Sequence, residues 1–379
     1  MPAPSSKSVR STFLSFQPPA VGEEEVEAAA EAIRSGWLTS GPRAAELERR
    51  TAEYLEAKHV LALSSGTAAL HLALLAAGVK PGDEVITTSL TWPATANVIV
   101  HCGATPIFAD VRPGDLNLDP ASVAELVGPE TRAIMPVHLY GQPADLDPLL
   151  ELGPAVIEDA AHAFESRYRG RKIGSIGAAT CFSLYATKNV AAGEGGLLAT
   201  NDDAIAAAVD DLRVMRRGHG SLYDIVVPGY KANLSDVLAA IALAQLDKLE
   251  RHRAIREAHF AAYDEGVAGL EGIEPLARDD RDLHALHLYA VRIDSERAGA
   301  SRDEYQRALA EENIGTSTHF LPVHRLSAYA GRLSLRQPPL PETDRAGAEV
   351  LSLPLSPAHS ADDIRDAIDA LHRVHERFT

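Results

Sequence analysis

At 379 residues the chain is longer than one hydrophobic core usually supports, so a large and a small domain are expected. The hydrophobic fraction of 46% with 23% charged residues is globular, and a formal charge of −17 argues against a general nucleic-acid binder, which needs a basic surface. Cys102 and Cys181, the only cysteines, lack metal-ligand spacing, which points away from zinc, iron–sulfur and disulfide frameworks and toward the cytoplasm.

The N-terminal stretch MPAPSSKSVRSTFLSF has no signal-type apolar run, and VLAAIALAQL, the longest such run, is only half a membrane span. A soluble chain without a membrane partner is expected. From about residue 60 to 200, VLALSS, EVITTSL, TPIFADV, AIMPVHL, AVIEDA, TCFSLYA and GLLAT recur as short apolar or β-branched runs with helical patterns between them. That alternation predicts an α/β domain on a mostly parallel sheet. After SSGT, AALHLALLAAGV reads as a helix ending at Gly78. Leu234, Val237, Leu238 and Ile241 keep helical spacing and open a long helix running into the 250s. The boundary is placed there, with a large domain over residues 1–250 and a smaller α+β domain over 251–379. In the latter, HALHLYAVRI reads as a strand, SRDEYQRALAEENIG as a helix with a Ser301–Glu304 capping box, and ADDIRDAIDALHRVHERF as a last amphipathic helix.

Four features at predicted strand ends could carry chemistry. Lys188 stands between TCFSLYA and the glycine-rich AAGEGG, where an amine has room to condense with a carbonyl; most lysines, however, are solvated surface charges. Asp159 and His162 follow the apolar AVI, where α/β sheets place ligands, although an aspartate there also serves as a helix cap. Ser64, Ser65, Gly66 and Thr67 join a strand to a helix, and free amides at such a start bind anions; ordinary capping gives the same residues. Trp92, just before Pro93, could stack on a planar ring or pack in the core. Together they offer an amine, a carboxylate, a phosphate cradle and a stacking face, which match the aldehyde, pyridine nitrogen, phosphate and ring of pyridoxal phosphate (PLP).

The segments SGWLTSGP, SSGTAALHLAL, GDEVITTSLTWPATAN, VIEDAAHAFES, GSIGAATCFSLYATKNVAAGEGG, PGYKANLSDVLAAIALAQLDKL and LSLPLSP resemble the DegT/StrS-type family of PLP-dependent nucleotide-sugar aminotransferases over nearly the whole chain. The resemblance implies the aspartate-aminotransferase fold (PLP fold type I), with a mostly parallel seven-stranded sheet in the large domain. It implies Lys188 as the lysine that carries PLP covalently, Asp159 as partner of the ring nitrogen, and His162 beside the ring or its 3-hydroxyl. Trp92 would stack on the ring, and Gly66, Thr67 and Ser183 would hold the phosphate. A homodimer with a shared active site is implied, in which GYKAN crosses over so that Lys231 or Asn233 reaches the partner's cofactor phosphate or substrate. This chain has Lys231, Ala232 and Asn233 where many members read Asn-Tyr-Arg, and resembles the Lys-Tyr-Asn version of members acting on a UDP-4-keto-pentose.

By the same resemblance, the expected reaction is ping-pong transfer of an amino group from an amino acid, L-glutamate by analogy, to a UDP- or dTDP-linked 4-ketosugar, in deoxyaminosugar or antibiotic biosynthesis. Leu38 and Thr39 are candidates for the sugar side of the pocket. His284, His287, His319 and His324 with Arg216, Arg217 and Lys231 could form a positive patch for the diphosphate. Alternatives are a 3-ketosugar aminotransferase, an amino-acid aminotransferase, an iron–sulfur sugar dehydratase, which has histidine in place of the lysine, and a non-enzymatic regulator, which would be expected to have lost Lys188 or Asp159.

Overall fold

The computed structural model describes residues 8–216, 224–329, 331 and 336–379. Its strands are β1 (His59–Leu63), β2 (Glu84–Thr88), β3 (Thr105–Ala109), β4 (Thr131–Met135), β5 (Ala155–Asp159), β6 (Arg167–Tyr168), β7 (Arg171–Lys172), β8 (Ala179–Ser183), β9 (Gly196–Thr200), β10 (Ile273–Pro275), β11 (Tyr289–Ile293) and β12 (Val350–Leu353). The helices are α1 (Glu23–Arg34), α2 (Pro42–Leu55), α3 (Gly66–Ala76), α4 (Ala94–His101), α5 (Pro120–Leu126), α6 (Leu146–Leu150), α7 (Asp203–Val214), α8 (Asp236–Asp247), α9 (Leu249–Val267), α10 (Arg302–Glu311), α11 (Pro341–Glu349) and α12 (Ala361–Phe378).

Seven strands form one sheet in the order β1-β9-β8-β5-β4-β2-β3. Only β9 runs against its neighbours, so β1, β2, β3, β4, β5 and β8 all end at one edge. Both faces are covered, which is why these strands read as continuous apolar runs. Alternation sorts their side chains: Val60, Ala62 and Leu197 join one apolar cluster with Leu47 and Leu243, while Leu61, Leu63 and Leu198 join the other with Leu72 and Val98.

A second, antiparallel sheet, β10-β11-β12, packs on α9, α10 and α12 around Tyr263, Tyr289, Tyr305 and Leu371. Helix α10 starts at the expected box, Ser301 with Glu304. Three details depart from the sequence expectations. The long helix is two, broken at Lys248, whose Nζ is held by Glu24 (2.9 Å) and Glu25 (2.7 Å). The N-terminal segment, expected with the large domain, packs on the C-terminal sheet: Leu14 lies in its apolar cluster, and Arg10 pairs with Asp363 and Asp366 on α12, each at 2.7 Å. Of HALHLYAVRI only Tyr289–Ile293 is strand; the residues before it bond to a loop of the large sheet, Ala285 N to Gly141 O (2.9 Å) and His287 N and Leu288 N to Tyr140 O (both 3.2 Å). Gly141 suits this crossing: its φ is 109°, and a side chain there would press on Leu286 N and Ala285 Cβ at 3.1 and 3.2 Å. Among the described residues no helix is long and apolar enough to cross a membrane.

Candidate active site

Three strand tips and two turns build one cavity. At the end of β1, Ser65 caps α3 by accepting from Ala68 N at 3.0 Å, which leaves the amides of Gly66 and Thr67 without partners in the helix and directed at the strand-tip edge. Gly66 is the residue the packing needs, since a Cβ would stand 3.1 Å from Ser183 Cβ at the tip of β8. Gly196, where β9 begins, leaves space for the Ser65 backbone in the same way; a Cβ there would overlap the Ser65 carbonyl. Beyond Ser183, a turn closed by Lys188 N donating to Tyr185 O (2.8 Å) brings Lys188 back over the sheet edge.

The cavity has a volume of about 490 Å³ and is walled by Gly66, Thr67, Trp92, Asp159, His162, Ser183, Lys188 and His319, among others. Asp159, at the tip of β5, is 5% exposed. Its Oδ2 accepts from Thr95 Oγ1 (2.8 Å) and its Oδ1 from Ala161 N (3.1 Å). Burial pushes the carboxyl above its ordinary range, while Thr95, Ala161 and Lys188 pull it down. An ionised Asp159 therefore requires a cation beside it, and a protonated pyridine nitrogen is one. Burial lowers Lys188 to about 8, with Asp159 opposing, so a far larger share of its amine is neutral and nucleophilic near neutral pH than for a solvated lysine. His162 accepts from Tyr140 N at Nδ1 (3.2 Å), which fixes the neutral tautomer with its proton on Nε2; burial holds the ring well below its usual range and so uncharged. An amine, a buried carboxylate and a loop of free amides on three sides of one chamber fit PLP.

Other expected residues stand elsewhere. Leu38 and Thr39 are exposed and line no part of the cavity; Thr39 O accepts from Asp236 N at the start of α8. Asn233 pairs with Leu63 beside the β1 tip, donates to Ser40 Oγ at 2.6 Å and accepts from the exposed Lys231. His324 joins Ser89 (2.7 Å) to Asp344 (3.0 Å), away from the chamber. Among the described residues the positive patch is not formed. Burial lowers His284 to about 3 and His319 to about 4, and pushes His287 and His324 below their usual range, so these rings are neutral at pH 7. Arg216 is paired with Asp211, and Arg217 lies outside the described residues. Residues not anticipated include Thr95, the donor to Asp159, for which the only sequence signal is a hydroxyl in the first turn of α4, and Phe16, Gln17 and Phe320, which reach the cavity from distant segments.

A family model for the DegT/DnrJ/EryC1/StrS aminotransferase family matches residues 19–372. The chain belongs to this family. It is 42% identical over 384 residues, 96% of this chain and 98% of the other, to the spore coat polysaccharide biosynthesis protein SpsC of Bacillus subtilis. The structure of Spr1654 from Streptococcus pneumoniae in its PLP form superimposes with a TM-score of 0.90 at 31% identity, covering 97% of this chain and 100% of that one. DesI, solved in the presence of its TDP-sugar product, gives a TM-score of 0.90 at 34% identity over 98% and 95%. This member of the family is thus a PLP-dependent sugar aminotransferase with the PLP fold type I architecture.

Proposed function

We propose that the enzyme transfers an amino group from L-glutamate to a UDP- or dTDP-linked 4-ketosugar, giving a 4-amino-4-deoxy sugar nucleotide. The observation that carries the site assignment is the convergence of Lys188, Asp159 and the Ser65–Thr67 turn on one cavity. A nucleotide sugar is supported by the TDP-sugar product of DesI, and the 4-keto position by the resemblance to members acting on 4-ketosugars.

PLP, when bound, supplies an aldehyde for linking amines and an electron sink for the carbon that loses its proton. Lys188 would carry it covalently and, once released as a free amine, would serve as the general base and acid that takes up and returns the proton of the transfer. Asp159 would keep the ring nitrogen protonated, His162 would offer its Nε2–H beside the ring, and the amides of Gly66 and Thr67 with the Ser183 hydroxyl would hold the phosphate. Trp92 covers the ring face at the mouth, and His319 meets the sugar. In a cytoplasmic homodimer the exposed Lys231, with Asn233, Leu38 and Thr39, completes the partner's cavity.

The test is the visible spectrum with a substrate panel. Purified protein is expected to show the absorption band of lysine-linked PLP, absent in Lys188→Ala, and to aminate UDP- or dTDP-4-ketosugars with glutamate. A band that survives in Lys188→Ala overturns the site assignment; turnover of 3-ketosugars alone overturns the substrate.

A further inference from the structure

Behind Lys188 lies a polar relay that this chemistry leaves unused. Glu165 and Arg256 form an ion pair with both side chains 2% exposed. Asn189 lies against it, its Nδ2 donating to Glu165 Oε2 (2.7 Å) and to the Ala285 carbonyl (2.8 Å). Both partners are acceptors, so the amide can face only one way, and its oxygen meets His287 Nδ1 at 2.9 Å. An amide oxygen only accepts. His287 therefore carries its proton on Nδ1, and in the neutral ring Nε2 is a bare lone pair. No described residue bonds that nitrogen, and His287 lines the cavity.

The adjacent imidazole has the opposite polarity. His162 lies 4.5 Å from His287 between ring centroids and, with Nδ1 taken by Tyr140 N, offers an Nε2–H. One ring gives the chamber a donor and the other an acceptor. Position then selects the ligand. His287, Lys188, Thr187 and Gln17 line both the main cavity and a small adjoining chamber of about 20 Å³, and His287 is 2% exposed, unlike Trp92 and Tyr185, which are 64% and 48% exposed, so it borders the lysine rather than the outer rim. What is exchanged beside the lysine is an amine nitrogen. Such a nitrogen has N–H to give, and giving it to a fixed lone pair orients its own.

Resting on the assignment of Lys188 above, we propose that His287 Nε2 accepts a hydrogen bond from the amine exchanged at Lys188, and that Asn189, braced by Glu165 and Arg256, is the residue positioning it. The ring takes no proton, since burial and the nearby Lys188 keep it neutral.

The experiment follows the reaction of PLP-loaded enzyme with L-glutamate alone, in a single turnover, through loss of the visible band. His287→Phe and Asn189→Leu are expected to keep the band and an unchanged KM for glutamate while the single-turnover rate falls roughly 10-fold or more, the scale of one lost hydrogen bond. His287→Gln, which restores an acceptor, is expected to recover part of that loss. In ¹⁵N-histidine spectra of the wild-type holoenzyme, His287 is expected as the Nδ1–H tautomer, and in Asn189→Leu as a mixture. Wild-type rates in both variants, or an Nε2–H tautomer in the wild type, overturn the proposal, and the second result needs no variant to fold. A missing band in the wild type instead counts against Lys188.

Discussion

As the proposed partner of the ring nitrogen, Asp159 would have to be an anion in a place that disfavours anions, and this fixes what its removal would cost. Two unit charges 4 Å apart at an effective dielectric near 20 interact by about 4 kcal/mol, or about a thousandfold in rate if that interaction is what stabilises the transition state. Asp159→Asn, which keeps the size and the bond from Thr95, is expected to lower kcat by about that factor while the PLP band remains; a loss under tenfold, read in steady-state assays, removes Asp159 from the chemistry. Lys188 gives a pH signature. Its amine, lowered to about 8 by burial, is neutral above that value and protonated below. The groups facing it are Asp159, which raises its pKa, and His162, His287 and His319, which burial keeps uncharged. The rate at which apo-protein captures PLP should therefore rise with pH and level off above about 8; a rise continuing toward 10.5, measured by stopped-flow absorbance, would show a solvated lysine. Lys188, Asp159 and Trp92 were legible because each sits within a few residues of an apolar run that betrays its strand. Thr95, Gln17 and the Asn189–Glu165 bond were not, since nothing local says which distant groups a fold will bring against them.

At the level of elements, the Ser65–Thr67 turn proposed to hold the phosphate depends on a strand it does not follow. Gly196 opens β9 with its Cα against the Ser65 backbone, so Gly196→Ala must move the turn that presents Gly66 and Thr67. Overpacking of this kind costs about 1–3 kcal/mol. The variant is expected to melt several degrees lower and to bind PLP about tenfold more weakly, by calorimetry and spectral titration; unchanged PLP affinity would show that the Gly66 and Thr67 amides do not hold the phosphate. GLLAT was recognisable as a strand, but its antiparallel direction was not, because burial on both faces leaves the same apolar run either way. HALHLY misled for a related reason: its alternation suits a strand, yet Tyr140 and Gly141 claim its backbone first. The break at Lys248 was hidden because no glycine or proline marks it; a buried lysine held by α1 does.

For the molecule as a whole, the proposed sharing of sites between two copies makes a test by mixing. If Asn233 serves the partner's cavity, hybrids of Lys188→Ala and Asn233→Ala subunits contain one intact site per dimer, and random re-pairing of two inactive proteins should restore about a quarter of wild-type activity. No recovery on mixing, with hybrids shown by native mass spectrometry, would place Asn233 in its own chain's site. Sequence proximity places the N-terminal strap, Leu14 with Arg10 on α12, in the large domain; the pairing of Leu14 with Ile314 instead joins positions 300 residues apart.

The seam where residues 285–288 are stitched to Tyr140 and Gly141 closes the reaction chamber along its inner side. A doorway hinged there would have to tear main-chain bonds, whereas Trp92 and Tyr185 line the same cavity and stand exposed to solvent. On the proposed function, a nucleotide sugar would enter headfirst past those two rings, its reactive carbon inside and its bulky tail left on the doorstep.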